Sequence, residues 1–320
     1  MSGIFTIVRK ELEDHFSSTR FLLISALIVM VGVIIASMVG MGIQEELKGT
    51  TKPTLIFLFL FTSTGKLFSF VQFIGFFGPL IGIILGFDSI NRERVSRTLS
   101  KLVSQPIYRD SIINAKFLAG IVTIAVVLVG IVLIISGLGI RLIGVVPGSE
   151  EVGRLAIYLI ISILYIAFWL GVSILFSVIF RSTATSALAS LALWIFFSFF
   201  VSLGANVLSD MVAPTPVGQT QASPETIMRQ AKVQRMVSLC SPVNLYTEAT
   251  STILNPMRQT TKLVFVGPME QLSMLRFQNP LPLLQSLLIV LPHLISLVAI
   301  TVLCFGICYL IFMRQEIRTI

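Results

Sequence analysis

Charge is what this chain has least of. Only 12% of its 320 residues are charged, about half the share of an average soluble domain. Hydrophobic residues make up 55%, and mean hydropathy is +0.94. So few charges cannot solvate a fold with that much apolar surface, which excludes a soluble enzyme. Disorder is excluded by the 24 phenylalanines and long aliphatic runs. His15 and His293 are the only histidines and lie far apart in sequence, so no histidine metal site is expected. No carboxylate stands near His293 in sequence, which argues against serine–histidine chemistry there. It follows Pro292 directly and is expected to bond a carbonyl freed by that proline. No G-x-x-x-x-G-K-[ST] loop exists, so the chain has no such cradle for ATP phosphates. The cysteines, Cys240, Cys304 and Cys308, give no disulfide framework. Cys304 and Cys308 share a helix face and read as small packing residues, and Cys240 is alone in its segment.

What is present is apolar length. A bilayer core needs about 20 residues of helix, and six runs qualify: 21–42, 67–87, 117–140, 155–180, 184–208 and 283–313. They lack alternation, so an all-α membrane protein of six transmembrane helices is predicted. The first run is as long as a full span and follows Glu11, Glu13 and Asp14, so it is expected to be retained rather than cleaved as a signal. With the N-terminus cytoplasmic, twelve Lys and Arg fall in the inside segments 1–20, 88–116, 181–183 and 314–320. Five fall in the short outside segments 43–66 and 141–154. That asymmetry predicts both termini in the cytoplasm, and it accounts for the net charge of +8 without nucleic acid. Glu45-Glu46 falls outside the expected bilayer and reads as a solvated turn.

The chain divides into a cytoplasmic N-terminus (1–20), spans one to five (21–208) with a charged loop at 88–116, an external cap (209–282), and the sixth span with a tail (283–320). In the first segment Ile4, Ile7, Val8, Glu11, Leu12 and His15 recur at helical spacing, with Arg9, Lys10, Glu13 and Asp14 towards the other side. That pattern predicts an interfacial helix or an extension of the first span. In the loop, Val95, Leu99, Leu102 and Val103 recur among Arg92, Arg94, Arg97 and Lys101, and Pro106 ends the pattern. It reads either as a surface for a soluble partner or as a positive-inside loop. In the cap, Ser223-Pro224-Glu225 has the order of a helix opening, continued by Met228, Ala231, Lys232 and Arg235.

No predicted span holds an ionised side chain in its middle. Ion-coupled carriers and charged-ring channels normally have one there, so energy from outside the bilayer is expected. Inside the spans, Gly78, Gly82 and Gly86 recur every four residues and suit close helix approach. Thr183, Ala187, Ser190 and Trp194 form a similar face on the fifth span. Both spans are rich in phenylalanine, including Phe70, Phe73, Phe77 and Phe197. These residues either pack the bundle or line a greasy pathway.

The loop after the second span resembles the signature of ATP-binding-cassette (ABC) type-2 permeases. The resemblance rests on Phe87-Asp88-Ser89-Ile90, Glu93, Thr98-Leu99, Val103-Ser104-Gln105-Pro106, Arg109 and Lys116. Val8-Arg9-Lys10-Glu11-Leu12 and Ser241-Pro242-Val243 resemble further patterns of the family, and the whole layout is similar. The branch it looks closest to includes the permease of nitrous oxide reductase maturation. Arg97 stands where the family has glycine. The resemblance implies a multi-pass protein of a prokaryotic plasma membrane, a transporter subunit and exporter rather than an enzyme. It implies a second permease chain, as a homodimer, and separate cytoplasmic ATPase subunits that carry ATP and magnesium. It makes the stretch 88–105 a coupling helix, with Glu93, Arg94, Val95, Arg97, Thr98, Leu99, Lys101, Val103, Pro106 and Arg109 at the ATPase. It also implies that the second and fifth spans line the pathway. No cofactor or metal is expected on this chain, and membrane lipid surrounds its spans. A non-transporting membrane scaffold or an intramembrane enzyme of the same outline is the alternative.

Overall fold

The computed structural model describes residues 2–46, 55–62, 69–96, 108–212, 228–230, 232–233, 236–237, 241–255 and 281–315. Among the described residues there is no strand. Within the same residues six helices are long and apolar enough to cross a membrane. The N-terminal helix runs Ser2–Ser17, and span 1 follows as Thr19–Glu46. Ser18 separates them: its N–H closes the first helix on the His15 carbonyl, and its own carbonyl accepts from Leu22 N at 2.9 Å. The N-terminal helix is therefore not an extension of span 1. It lays Ile7 and Val8 on Ile112, Ala115 and Ala119, whose small alanines permit a close approach. Its other face carries the exposed pairs Arg9–Glu13 and Lys10–Asp14, worth little in stability.

Span 2 (Phe70–Gly86) opens with a reciprocal capping box between Ser69 and Gln72. Span 3 (Arg109–Ile143) ends at Gly144, whose φ of +68° is the left-handed conformation glycine adopts without strain. Span 4 (Ser149–Ile179) has 31 residues, about 46 Å of helix, well beyond a hydrocarbon core of about 30 Å. Its ends therefore have polar surroundings available. Span 5 begins at Thr183–Ile195, passes through a π-helical turn at Phe196–Phe200 and continues as Val201–Val212. Span 6 (Leu283–Arg314) runs unbroken through Pro292. Spans 2 and 4 are the inner helices, and spans 1, 5 and 6 are largely uncovered by the chain itself.

Two elements differ from expectation. The connector 43–66 contains a short helix, Ile56–Thr62, with Phe57, Leu58, Leu60 and Phe61 buried. Glu151 holds it by accepting from Phe57 N at 2.9 Å. The expected cap supplies the helix Pro242–Leu254, which opens with proline in its first turn. It is inserted among spans 2, 4 and 6, because Leu245, Ala249 and Ile253 on one face and Tyr246 and Leu254 on the next are all apolar and buried. Residues 228–230, 232–233 and 236–237 are helical. The Ser223-Pro224-Glu225 opening, Ala231, Arg235 and Cys240 lie outside the described residues.

Candidate functional site

Sequence-predicted residues gather at two places. The first is the end of the bundle that carries the N-terminal helix. Beyond Gly86 the chain turns and forms the helix Asn91–Val95. Ser177 near the end of span 4 anchors this segment, its hydroxyl oxygen accepting from Ile90 N at 3.0 Å and Asn91 N at 3.2 Å. Glu93 points inward to Lys116 of span 3, and Glu11 of the N-terminal helix reaches the same ammonium. Both carboxylates stand 2.9 Å from Lys116 Nζ. One lysine, 4% exposed, thus ties together three segments distant in sequence. A buried charge is tolerated only when paired, and here the pairing is twofold.

Burial pushes the Glu11 carboxyl up, but the Lys116 ammonium and its hydrogen bond outweigh this and leave it below its ordinary 4.5. Burial holds His15 below its ordinary 6.5, against the pull of Glu11. Thr123 donates its own proton to the Ala119 carbonyl, so its oxygen accepts from His15 Nδ1 at 3.1 Å.

Arg94 also turns inward. It donates to the Val178 carbonyl at 3.1 Å, to the Phe180 carbonyl at 3.4 Å and to Gln315 Oε1. It thereby caps the last carbonyls of span 4, where a cation also suits the helix dipole. Arg109 donates to the Gln315 backbone carbonyl at 3.4 Å. Glu93, Arg94 and Arg109 therefore have partners within the chain, whereas Val95 is 74% exposed. The side chain of Asn91 is wholly buried, and neither of its polar atoms is hydrogen-bonded. Arg97, Thr98, Leu99, Lys101, Val103 and Pro106 lie outside the described residues.

The second place is the contact between spans 2 and 4. A Cβ on Gly82 would stand 2.7 Å from the Ile166 carbonyl oxygen and 2.8 Å from Leu170 N. At Gly86 it would meet Ser173, and at Gly78 the Ile166 side chain. Ser173 adds a hydrogen bond to the Ile83 carbonyl at 2.8 Å. Pro79 leaves the Gly75 carbonyl without its helical donor, and the Tyr165 hydroxyl fills that place at 2.8 Å. Tyr165 stacks on Tyr246 of the inserted helix with ring centroids 4.5 Å apart. Phe70 and Phe73 are buried, Trp194 is buried against Phe76, and Phe77 packs between Phe73 and Phe76. Phe197 sits edge-on to Trp169, and its carbonyl accepts from Ser241 Oγ at 3.3 Å. Aromatic rings therefore fill the seam between spans 2 and 5.

At the opposite end lies a polar latch that the sequence reading missed. Arg154, which reads as a water-facing charge, is 0% exposed. It donates to the Ile253 carbonyl at 2.7 Å, to Ser286 Oγ at 3.2 Å, to the Leu281 carbonyl and to Glu150. Span 4, the inserted helix and the start of span 6 meet on this one side chain. The Glu150/Arg154 spacing of four was its only sequence signal. His293 also departs from expectation: its Nε2 lies 3.1 Å from Glu248 Oε2 of the inserted helix. The missing carboxylate comes from an element 45 residues away, so no local pattern pointed to it.

The family described as ABC-2 family transporter protein matches residues 5–317. The chain is similar to the probable ABC transporter permease protein NosY of Stutzerimonas stutzeri, 31% identical over 131 residues, 41% of this chain and 43% of that protein. It is also similar to the probable ABC transporter permease protein NosY of Pseudomonas aeruginosa, 26% identical over 201 residues, 62% of this chain and 67% of that protein. The first match covers less than half the length of its relative. With the family's pattern running over nearly the whole sequence and six membrane-spanning helices beneath it, the chain belongs to the ABC-2 family of transporter proteins.

Proposed function

We propose that the chain is the permease subunit of an ATP-driven exporter, powered by separate ATPase subunits that bind ATP and magnesium and dock on the segment 88–105. The observation that carries this reading is the state of that segment. It is fastened to the bundle through Ser177 and the Lys116 ion triad, yet leaves Val95 bare. An apolar side chain facing water is costly, and a partner's groove would cover it. The unsatisfied Asn91 amide supports movement of the segment, because a buried amide without partners costs about 1–3 kcal/mol and favours release. The asymmetry of Lys and Arg supports an orientation with both termini and this segment in the cytoplasm. The bare faces of spans 5 and 6 support assembly as a homodimer in the plasma membrane. Outward direction follows from the resemblance to type-2 permeases, and the aromatic seam supports an apolar or amphiphilic cargo.

The test is copurification. The chain is co-expressed with a P-loop ATPase from an adjoining reading frame, solubilised mildly and recovered by a tag. Val95→Asp and Leu99→Asp should each lose the ATPase while still inserting normally. Should both variants retain ATPase and coupled hydrolysis, the docking assignment fails and the segment serves only as a topological anchor.

A further inference from the structure

At the end marked by Lys116, a cavity of about 220 Å³ opens between the N-terminal helix, the start of span 1 and the turn after span 2. That is several times the roughly 30 Å³ occupied by one water. A wider hollow of about 580 Å³ shares its rim at Asp14, Arg20, Asp88 and Arg92 and runs on to Thr183 of span 5. The charges here are of both signs, but they are not equally engaged. Lys116 is used up by Glu11 and Glu93. Asp14 faces Lys10 at 3.4 Å, and Asp88 faces Arg20 at 3.6 Å, beyond hydrogen-bond contact. The Arg20 side chain is 69% exposed, and Arg92, exposed on the same rim, has no ion pair among the described residues. Two guanidinium groups therefore flank one loosely held carboxylate, with a second, half-exposed carboxylate across the rim.

Below Arg20 the surface is apolar. Leu23, Leu27, Met30, Ile34, Met38 and Met41 are all exposed, at steps of four, three, four, four and three residues. Such steps place them in one stripe along span 1, and Arg20, three residues before Leu23, is at its head. Phe16 lies exposed beside the head of the stripe, edge-on to Phe21.

We propose that this cavity holds the headgroup of a phospholipid with a primary ammonium, its acyl chain lying along the stripe of span 1. Arg20 and Arg92 would take the phosphate diester, since planar guanidinium groups match phosphate oxygens in geometry and charge. Asp14 and Asp88 would take the ammonium. A purely anionic headgroup would bring its charge against both carboxylates, and a helix of a second copy would leave the two arginines unanswered. The site borders the proposed docking segment, sharing Asp88 and Arg92 with it, but lipid binding by the chain alone needs no ATPase and survives the failure of that reading.

The purified full-length chain, stripped of lipid in detergent, is titrated with phosphatidylethanolamine, phosphatidylglycerol and inorganic phosphate, and binding is read by native mass spectrometry. Phosphatidylethanolamine should bind at least fivefold tighter than phosphatidylglycerol, and inorganic phosphate should not bind measurably. The pair Arg20→Gln/Arg92→Gln should weaken phosphatidylethanolamine tenfold or more. Asp88→Asn should erase the preference between the two lipids. Arg9→Gln removes a cation from the N-terminal helix outside the cavity and should change nothing. The proposal is overturned if the paired variant binds as tightly as the parent, if Arg9→Gln loses as much, or if the two lipids bind alike. Inorganic phosphate binding as tightly as lipid would make the site a free-anion site and overturn it too. Equal melting temperatures of the variants show that each is folded.

Discussion

Gly82→Ala adds one methyl group where the chain has no room for it. The new Cβ would lie 2.7 Å from the Ile166 carbonyl oxygen and 2.8 Å from Leu170 N. Carbon–oxygen contacts between helices settle at about 3.3 Å, so spans 2 and 4 must part by roughly 0.6 Å. Both opposing atoms are backbone in the middle of a 31-residue helix and cannot rotate away. Overpacking costs about 1–3 kcal/mol, and this rigid case belongs at the upper end. Alanine returns about 1 kcal/mol of helix propensity over glycine, leaving a net loss of about 1–2 kcal/mol. Two further glycines calibrate the claim. At Gly78 the nearest atom is the flexible Ile166 Cδ1 at 3.0 Å, and at Gly130 nothing lies within 4 Å. Gly78→Ala should be near neutral, and Gly130→Ala should gain up to about 1 kcal/mol. Thermal unfolding of the three purified variants in one detergent should rank Gly130→Ala above Gly78→Ala and both above Gly82→Ala, over a few degrees. A Gly82→Ala protein as stable as Gly130→Ala would show that the two spans do not meet as described.

Other outcomes follow from the polar contacts. Arg154→Met leaves the Ile253 and Leu281 carbonyls without their donor, about 1–3 kcal/mol each, whereas Glu150→Gln at a half-exposed partner should cost under about 1 kcal/mol; equal melting of the two variants would refute the latch. The losses of Glu248→Leu and His293→Leu should together exceed the loss of the double variant, with a coupling of roughly 0.5–3 kcal/mol in a double-mutant cycle; strict additivity would mean that the 3.1 Å contact is without energy. Both His15 and Glu11 have folded-state values below their ordinary ones, so the unfolded chain binds protons first and stability falls as pH drops. The contribution of His15 is complete above about pH 6.5 and is lost as pH falls through its depressed value, that of Glu11 below about 4.5. His15→Gln should flatten the upper part of a melting-temperature profile, and a profile that His15→Gln leaves unchanged would contradict the burial of that imidazole.

How much of this was legible depends on how local each signal is. The four-residue repeat of Gly78, Gly82 and Gly86 is a one-helix pattern, so a close-packing face was readable from the string alone. The break at Ser18 was not, because serine is equally at home inside a polar helix end. Ile56–Thr62 is too short to cross a bilayer and reads as connector, and only the Glu151 carboxylate fixes it as a buried helix. Pro242 suits the first turn of a helix but says nothing about whether Leu245, Ala249 and Ile253 face water or the bundle. Arg154 and Glu248 were invisible for a common reason. A charge near the end of an apolar run looks solvated, and what buries it comes from a segment tens of residues away. Lys116 was reachable only through resemblance, and no spacing rule connects it with Glu11 and Glu93.

These contacts also decide how a displacement travels. The segment 88–96 is held by Ser177, and Ser177 belongs to span 4. Span 4 is joined to span 2 along three glycines, with backbone against backbone at Gly82 and the Ser173 bond below it. A packed contact of that kind has no soft element to absorb motion, so the two spans shift as one body. At its far end, span 4 carries Arg154, which grips the inserted helix and the start of span 6. Softer joints lie elsewhere. The π-turn at Phe196–Phe200 buries none of its side chains, and such turns commonly mark places where a helix changes course. The N-cap of the inserted helix meets that turn through the Ser241 hydrogen bond to the Phe197 carbonyl. A push on segment 88–96 therefore reaches the Arg154 end through spans 2 and 4 nearly undiminished. Span 5 has its own point of yield at Phe196–Phe200, so on the proposed reading a displacement of spans 2 and 4 would open the seam between spans 2 and 5.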